Sequence, residues 1–151
     1  MLRLSKKMLY AIEAVLDIAY HAASEPVQSR EITRRQEIPQ RYLEQALQQL
    51  VRSNILIGVR GPRGGYRLAC ERRRISVGDI VRVVRNIEKS DDPILDTGGS
   101  ELGTKVVRPM WLRLQETVMG ELDNISIDDL CDNAAEININ REGRQNLDFS
   151  I

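Results

Sequence analysis

The sequence of 151 residues has only two cysteines, no net charge and no long apolar run. Cys70 and Cys131 are too few and too far apart for a disulfide scaffold or a zinc site, so we expect reduced thiols. No apolar stretch approaches the ~20 residues of a membrane span, and the N-terminus lacks the apolar core of a signal peptide. We therefore expect a cytoplasmic protein with no membrane partner.

The zero net charge conceals two halves of opposite sign. Residues 1–87 hold sixteen lysines and arginines against eight aspartates and glutamates, whereas residues 88–151 hold six against fourteen. A basic half is attracted to a polyanion such as DNA, and an acidic half is repelled by it. We expect the N-terminal half to bind nucleic acid and the C-terminal half to contact protein.

Residues 55–68 predict a β-hairpin that carries arginines. Two short apolar runs flank the turn RGPRGG, in which Pro62 and the glycines supply turn conformations. This turn would project Arg60, Arg63 and Arg67 into solvent. Such a hairpin is typical of the wing of a DNA-binding winged helix; the alternative is an ordinary hairpin with solvated arginines.

Two helices ahead of the hairpin complete the winged-helix order. A short basic helix is predicted over 29–36, followed by a tight turn near Pro39 and an amphipathic helix over 37–54. The polar face of the second helix can form hydrogen bonds to base edges and phosphates, which is typical of a recognition helix. Its polar side chains are Gln40, Arg41, Glu44, Gln45 and Gln48.

Capping patterns predict two further helices in the basic half. Ser5 can cap a long helix that ends near His21. Ser76 and Asp79 form a variant of the capping box and begin a helix that reaches Arg85.

Beyond residue 87, a loop precedes a strongly apolar helix. Residues 88–104 are rich in glycine and aspartate and predict a mobile loop. The helix that follows ends near Asn124, and its broad apolar stripe needs a partner. Ser126 caps a final short helix, and the polar tail from Asn133 is expected to be frayed.

Several residues could carry chemistry but also have a plainer interpretation. Cys70 lies close to the arginine run 72–74, whose charge could favour a thiolate and a redox switch; otherwise it is an inert small residue. The run itself is either a phosphate contact or a solvated loop. The aspartates of the 88–104 loop miss the spacing of a calcium loop, and His21 is expected to be solvated or to cap its helix. Trp111 either anchors a helix interface or lines a ligand pocket.

Five short segments occur in a distinctive order along the chain. They are LSKK at 4–7, YA at 10–11, YLEQ at 42–45, VRGPRGGYRL at 59–68, and Trp111 leading to NISIDDL at 124–130. The most specific part is YLEQ followed by RGxxGGY. With these segments the chain resembles the Rrf2 family of bacterial transcription regulators over about residues 1–132.

The residue patterns and the resemblance together predict a mainly α-helical fold with a small β-hairpin. A winged helix-turn-helix domain would span 1–87, the flexible loop 88–104, dimerisation helices 105–132 and a polar tail 133–151. The resemblance implies a homodimer on a pseudo-palindromic operator, with recognition helices in successive major grooves and wing arginines in minor grooves. The residues expected at DNA are Ser5, Lys6, Arg30, Gln40, Arg41, Tyr42, Glu44, Gln45, Gln48, Arg60, Gly61 and Arg63, and those expected at the dimer interface are Val107, Met110, Trp111, Leu114 and Val118.

The sequence departs from those family members that hold an iron–sulfur cluster. They use three cysteines in the loop that corresponds to 88–104, and some recruit another ligand from the first helix. Here the loop has no cysteine or histidine, and Met8 and Ile12 occupy the corresponding part of the helix. We expect no cofactor and no metal. The chain resembles cluster-less members, one of them controlled by a partner enzyme, so a small-molecule effector or a partner enzyme is the expected signal.

Two other functions remain as alternatives. The winged helix could be a scaffold whose acidic C-terminal half docks onto a metabolic enzyme. A metalloenzyme or redox enzyme is disfavoured by the missing ligands, and no catalytic constellation is present. Tight, salt-dependent binding to duplex DNA would distinguish the regulator from the scaffold.

Overall fold

The computed structural model describes residues 5–87 and 99–142, and their fold is mainly α-helical with one small antiparallel hairpin, as predicted. None of the helices in these two ranges combines the length and hydropathy that a membrane span requires. The elements in chain order are α1 (Lys6–Tyr20), α2 (Ser29–Gln36), α3 (Gln40–Arg52), β1 (Leu56–Val59), β2 (Gly65–Leu68), a 3-10 turn (Arg72–Arg74), α4 (Val77–Ile87), a π-helical turn (Gly103–Val107), α5 (Arg108–Asp123) and α6 (Ile127–Glu136).

Helix α1 is the centre of the core. It begins where predicted, because the Ser5 hydroxyl accepts a hydrogen bond from the amide of Met8 at 3.3 Å. Apolar side chains at helical spacing, among them Met8, Val15 and Ile18, are buried. The helix contacts α2, α3, α4, α6 and β2, so it holds the helix-turn-helix and the hairpin in one unit.

The helix-turn-helix is formed by α2 and α3. Helix α2 has the predicted bounds, whereas α3 begins at Gln40 rather than at 37. The difference arises because Glu37 ends α2 in the left-handed conformation, with φ of 53°, and Pro39 occupies the N-cap of α3. One side of α3 is fixed in the core by Leu43, Leu47 and Leu50.

Strands β1 and β2 form the predicted hairpin, which we call the wing, with Val59 opposite Gly65. A third backbone segment, which was not predicted, lies beside the wing. The amide and carbonyl of Val27 pair with those of Tyr66 at 3.0 and 2.8 Å. A Cβ at position 65 would lie 2.4 Å from the Val27 carbonyl oxygen, so Gly65 is required by this close approach rather than by a turn.

Two Ser-x-x-Asp capping boxes begin α4 and α6. In the first, the amide of Asp79 donates to the Ser76 hydroxyl and the amide of Ser76 donates to the Asp79 carboxylate, each at 3.0 Å. Ser126 and Asp129 repeat the arrangement at 2.9 and 3.0 Å. The two serines also pair in an antiparallel bridge, which joins the start of α6 to the winged-helix unit.

The predicted loop over 88–104 is wrong at its end, because the chain is helical from residue 101. The Ser100 hydroxyl accepts a hydrogen bond from the amide of Gly103 at 3.1 Å, and so satisfies a donor in the first turn. Residues 88–98, which include the predicted acidic stretch, lie outside the described residues.

The prediction of a frayed tail from 133 is wrong for the residues up to 142. Helix α6 continues to Glu136, and Asn138 then reverses the chain in the left-handed conformation, with φ of 62°. The amide of Ile139 closes this turn on the carbonyl of Ala134 at 3.1 Å. Residues 137–142, which we call the C-terminal strap, return towards α1 and α2.

Candidate nucleic-acid interface

The polar face of α3 lies in solvent. Because the leucines of α3 are buried, the opposite side of the helix projects outward, and its side chains are free to reach a ligand. The side-chain amide of Gln40 donates to the carboxylate of Glu44 at 3.2 Å within this face. The exposed residues are Gln40, Arg41, Tyr42, Glu44, Gln45 and Gln48, all six of them predicted.

The start of α1 contacts the start of α3 through an aromatic ring. The ammonium group of Lys7 lies 5.3 Å from the centroid of the Tyr42 ring, and the ring of Tyr10 lies 6.5 Å from it. Lys6 is exposed, while Ser5 is engaged in its helix cap. Lys7 is not among the residues predicted at DNA, although two successive lysines at the start of a helix were a signal for it.

A groove of about 700 Å³ separates the start of α2 from the wing. Arg30 and Arg60 both line it, as does Gly61, whose φ of 110° is accessible to few other residues. The side-chain amide of Gln28 spans the groove to the carbonyl of Pro62 at 3.5 Å. The fold therefore brings together two predicted arginines that are thirty positions apart in the sequence.

The other two wing arginines differ in their contacts. Arg63 is 85% exposed and lies 3.6 Å from Glu25, an ion pair that is weak in solvent. Arg67 is exposed, as expected, but it lies on β2 rather than in the turn, and its guanidinium donates to the carbonyl of Ser24 at 2.5 Å. We assign Arg67 to the attachment of the wing to the loop between α1 and α2.

The arginine run 72–74 forms a 3-10 turn. Arg72 donates to the carboxylate of Asp128 at 2.6 Å and so ties this turn to α6. Arg73 pairs with Glu71 at 2.5 Å, in solvent. Arg72 therefore has a structural contact that neither interpretation of the run had included.

Helix α5 leaves its apolar stripe in solvent. It buries only Gln115 and Met119, and it packs against α4. The predicted interface residues are all exposed in the single chain: Val107, Met110, Trp111, Leu114 and Val118.

An ionic cluster that the sequence analysis missed connects α1, α2 and the C-terminal strap. The Asp17 side chain is 0% exposed, and both its oxygens accept hydrogen bonds from the Arg35 guanidinium at 2.8 and 2.9 Å. Gln36 donates to the same carboxylate at 2.8 Å. Arg35 also donates to Glu142 at 2.7 Å. An aspartate on the inward face of α1 was the available signal, since a buried charge needs a partner.

His21 is the C-cap of α1, which was one of the two expected roles, but it is buried rather than solvated. Its Nδ1 accepts a hydrogen bond from the amide of Glu142 at 3.0 Å. Burial and the positive charge of Arg35 lower the pKa of His21, against the opposing effect of Asp17. Hydrogen bonds from Arg35 and Arg34 outweigh the desolvation of Glu142 and lower the pKa of its carboxylate.

A short helix, a tight turn, a helix with an exposed polar face and an arginine-bearing hairpin together define a winged helix-turn-helix DNA-binding protein. The profile of the Rrf2 family, described as iron-dependent transcriptional regulators, matches residues 4–133, and the chain belongs to this family.

Relatives and solved structures agree with this membership. The transcriptional regulator IscR of Vibrio vulnificus is 32% identical over 153 residues, which cover 99% of this chain and 88% of the relative. IscR of Klebsiella pneumoniae is 34% identical over 147 residues, which cover 95% and 87%. The structure of T. potens IscR has a TM-score of 0.71 and 32% identity, covering 92% of this chain and 93% of that one. The structure of CymR, the global cysteine regulator of B. subtilis, has a TM-score of 0.69 and 28% identity, covering 88% and 98%.

The chain is therefore a bacterial DNA-binding transcriptional regulator of the Rrf2 type, as the sequence analysis predicted. The alternative of a scaffold docked onto an enzyme has no support from these relatives.

The residues present do not fit the iron that the family description names. Iron–sulfur clusters are held by cysteine thiolates, and the sequence has two cysteines. Cys70 is exposed, whereas Cys131 is buried, and burial raises the pKa of its thiol and disfavours the thiolate. In the part of the chain that the structure describes, no group of three or more histidine, cysteine, aspartate or glutamate side chains could hold a metal ion. The redox role of Cys70 stays a prediction.

Proposed function

We propose that the protein binds a pseudo-palindromic operator as a homodimer, with α3 in the major groove and the wing at the adjacent minor groove. The observation that carries this proposal is the exposed polar face of α3 beside exposed arginines of α2 and the wing. A helix fits the major groove, where each base pair presents a distinct pattern of donors and acceptors.

The exposed side chains divide into two roles by their chemistry. On α3, Gln40, Arg41 and Gln45 can form directional hydrogen bonds to base edges. The cations at the edges of this surface suit phosphates and a narrow minor groove, because their attraction to DNA does not depend on sequence. We assign phosphate or minor-groove contacts to Lys6, Lys7, Arg30, Arg60 and Arg63.

The apolar stripe of α5 is proposed as the interface with a second copy. Val107, Trp111, Leu114 and Val118 follow each other at helical spacing, so they share one side of the helix. A twofold axis would pack the stripes of the two protomers against each other, and both stripes would then be buried from water. The same axis would relate the two recognition helices, which matches the symmetry of a pseudo-palindromic site.

Selection of duplexes from a randomised pool with purified protein tests the DNA interface. We expect an inverted repeat whose half-sites are centred about one helical turn, or a multiple of it, apart. The affinity for the selected duplex should fall steeply as salt concentration rises, because phosphate contacts release counterions. Selection of no motif, with weak binding at every salt concentration, would refute the proposal.

Sedimentation of Leu114→Asp tests the dimer. The side chain is 52% exposed in the single chain, so a charge there is tolerated by the monomer but not by a buried interface. We expect folded monomers that bind a single half-site weakly. Leu112→Asp is the matched control, since Leu112 is 43% exposed and lies about 200° around the same helix at ~100° per residue. Equal dimerisation of both variants would show that the interface lies on another surface.

The signal that controls binding stays a prediction: a small-molecule effector or a partner enzyme would have to favour one separation of the two recognition helices over another. We propose no catalytic activity. A regulator of this kind acts in the bacterial cytoplasm, where the chromosome lies.

A further inference from the structure

Three residues of the C-terminal strap are attached to the first two helices. The Tyr20 hydroxyl donates to the carbonyl of Ile139, and the guanidinium of Arg141 lies 4.8 Å from the centroid of the Tyr20 ring. At the end of the strap, Glu142 is held through both its amide and its carboxylate. The strap closes one side of a cleft of about 510 Å³, which is lined by α1, α2, Ala134 of α6 and the strap itself.

Arg35 is the junction between the strap and the helix-turn-helix. Its side chain is 9% exposed and is shared between Asp17 on α1 and Glu142 on the strap. Arg34 reaches the same oxygen of Glu142 at 2.7 Å. The two arginines belong to the last turn of α2, immediately before the turn into α3. Glu142 therefore joins His21 at the C-cap of α1, through its amide, to the last turn of α2, through its carboxylate.

His21 makes the attachment sensitive to protonation. Its Nδ1 must be unprotonated to accept the hydrogen bond from the Glu142 amide. Protonation would remove this acceptor and place a positive charge beside Arg35. The sequence contains one histidine, so no other imidazole titrates in the neutral range.

We propose that the C-terminal strap positions α2 and α3 for DNA binding, and that protonation of His21 releases the strap and weakens operator affinity. The inference rests on the proposed function, because operator affinity is one of its readouts.

The direction of the pH dependence follows from the groups that face His21. Arg34 and Arg35 on α2 disfavour the imidazolium, whereas Asp17 on α1 and Glu142 on the strap favour it. Burial and the arginines dominate, so the docked state has the lower pKa and the released state binds more protons. Docking is therefore fully favoured above the ordinary pKa of 6.5 and is lost as pH falls below it. The carboxylate of Glu142, whose pKa is also lowered, acts in the same direction at still lower pH.

Glu13 on α1 is a competing acid. It lines the same cleft, and burial raises its pKa. Protonation of Glu13 could produce a pH effect without His21, so Glu13→Gln serves as a control.

The first measurement is made on the free protein. The imidazole resonances of His21 and the amide resonances of residues 139–142 are followed by NMR between pH 7.5 and 5.5. We expect both sets to titrate together, with a midpoint below 6.5. In His21→Gln the side-chain carbonyl can accept the same amide and does not titrate, so the strap resonances should stay unchanged across this range.

The second measurement is the affinity for the duplex selected at pH 7.5, taken at constant ionic strength. Wild type and Glu13→Gln should lose about three- to tenfold in affinity between pH 7.5 and 5.5. The upper limit is about tenfold because pH 5.5 lies one unit below the ordinary pKa of 6.5. His21→Gln should lose less than twofold. Glu142→Ala should show a cooperative melting transition, which demonstrates that it is folded. At pH 7.5 it should bind as weakly as wild type does at pH 5.5.

The outcomes distinguish a failure of the strap proposal from a failure of the proposed DNA interface. Strap resonances that follow His21 while affinity stays constant would refute positioning by the strap and leave the proposed function intact. Equal pH dependence in wild type and His21→Gln would refute the role of His21. Failure to select any duplex at pH 7.5 would refute the proposed function and the inference together.

Discussion

The side-chain amide of Gln40 donates a hydrogen bond to Oε1 of Glu44, one helical turn along α3, at 3.2 Å. This contact orients a carboxylate on the surface that is proposed to face DNA. Phosphates repel a carboxylate, so its presence there costs binding energy. The cost is offset where the carboxylate accepts a hydrogen bond from the amino group of a cytosine.

Replacement of Glu44 by alanine should broaden the sequence preference more than it reduces affinity. Removal of the charge relieves repulsion at every site, whereas the hydrogen bond to cytosine is lost at one base pair, worth ~1–3 kcal/mol of discrimination. Selection from a randomised pool, compared with Glu44→Gln and Gln40→Ala, measures both effects. An unchanged motif from Glu44→Ala would reduce Glu44 to a helix-surface partner of Gln40.

Arg60→Ala should weaken operator binding by ~1–3 kcal/mol, because a guanidinium in the minor groove is lost while the wing keeps its backbone pairing. The melting temperature should be unchanged, since the residue is exposed. Lys105→Ala removes the same charge in the helix that precedes α5 and is the control for a general loss of attraction. A lowered melting temperature would show that Arg60 is structural, and unchanged affinity would remove it from the interface.

Asp17→Asn should destabilise the fold by ~3–5 kcal/mol, because Arg35 would remain buried with half of its charge compensation gone. Chemical denaturation measures the loss. The double variant Asp17→Leu with Arg35→Met removes both charges and should recover much of the stability. If the single variant were as stable as wild type, Glu142 alone would suffice to balance Arg35.

Protein purified without oxygen should contain less than stoichiometric iron and show no visible absorption, because the chain has too few cysteines to hold a cluster. Iron chelation should leave operator affinity unchanged. Metal analysis of the anaerobic preparation and a binding titration with chelator check both statements. Stoichiometric iron, whether or not it is lost in Cys70→Ser, would overturn our conclusion that the residues present do not fit an iron site.

Local patterns predicted the helices and the wing because their causes are local. Ser5, Ser76 and Ser126 cap the helices that they were expected to begin, since a hydroxyl and an amide three residues apart need only a helical turn to meet. The leucines of α3 follow the helical period, and their burial leaves the recognition face outward.

Contacts between segments that are distant in the sequence could not be predicted from local patterns. The pairing of Val27 with Tyr66 and that of Asp17 with Arg35 join residues whose spacing carries no periodic signal. The tail was expected to be frayed because its composition is polar, yet Glu142 is held by partners on α1 and α2. Polar composition therefore does not predict disorder when the polar groups find buried partners.

The backbone of Val27 pairs with Tyr66 of the wing, and this pairing determines where the chain tolerates insertions or deletions. Insertion or deletion of one residue between Tyr20 and Val27 would shift the register at Tyr66 and turn the hairpin relative to α3. Residues 61–63 form the tip beyond the paired strands and are exposed, so a change of length there would alter only the reach of the wing. Variation in loop length among related regulators should therefore concentrate at the tip, and a chimera that exchanges tips should keep the same helical frame.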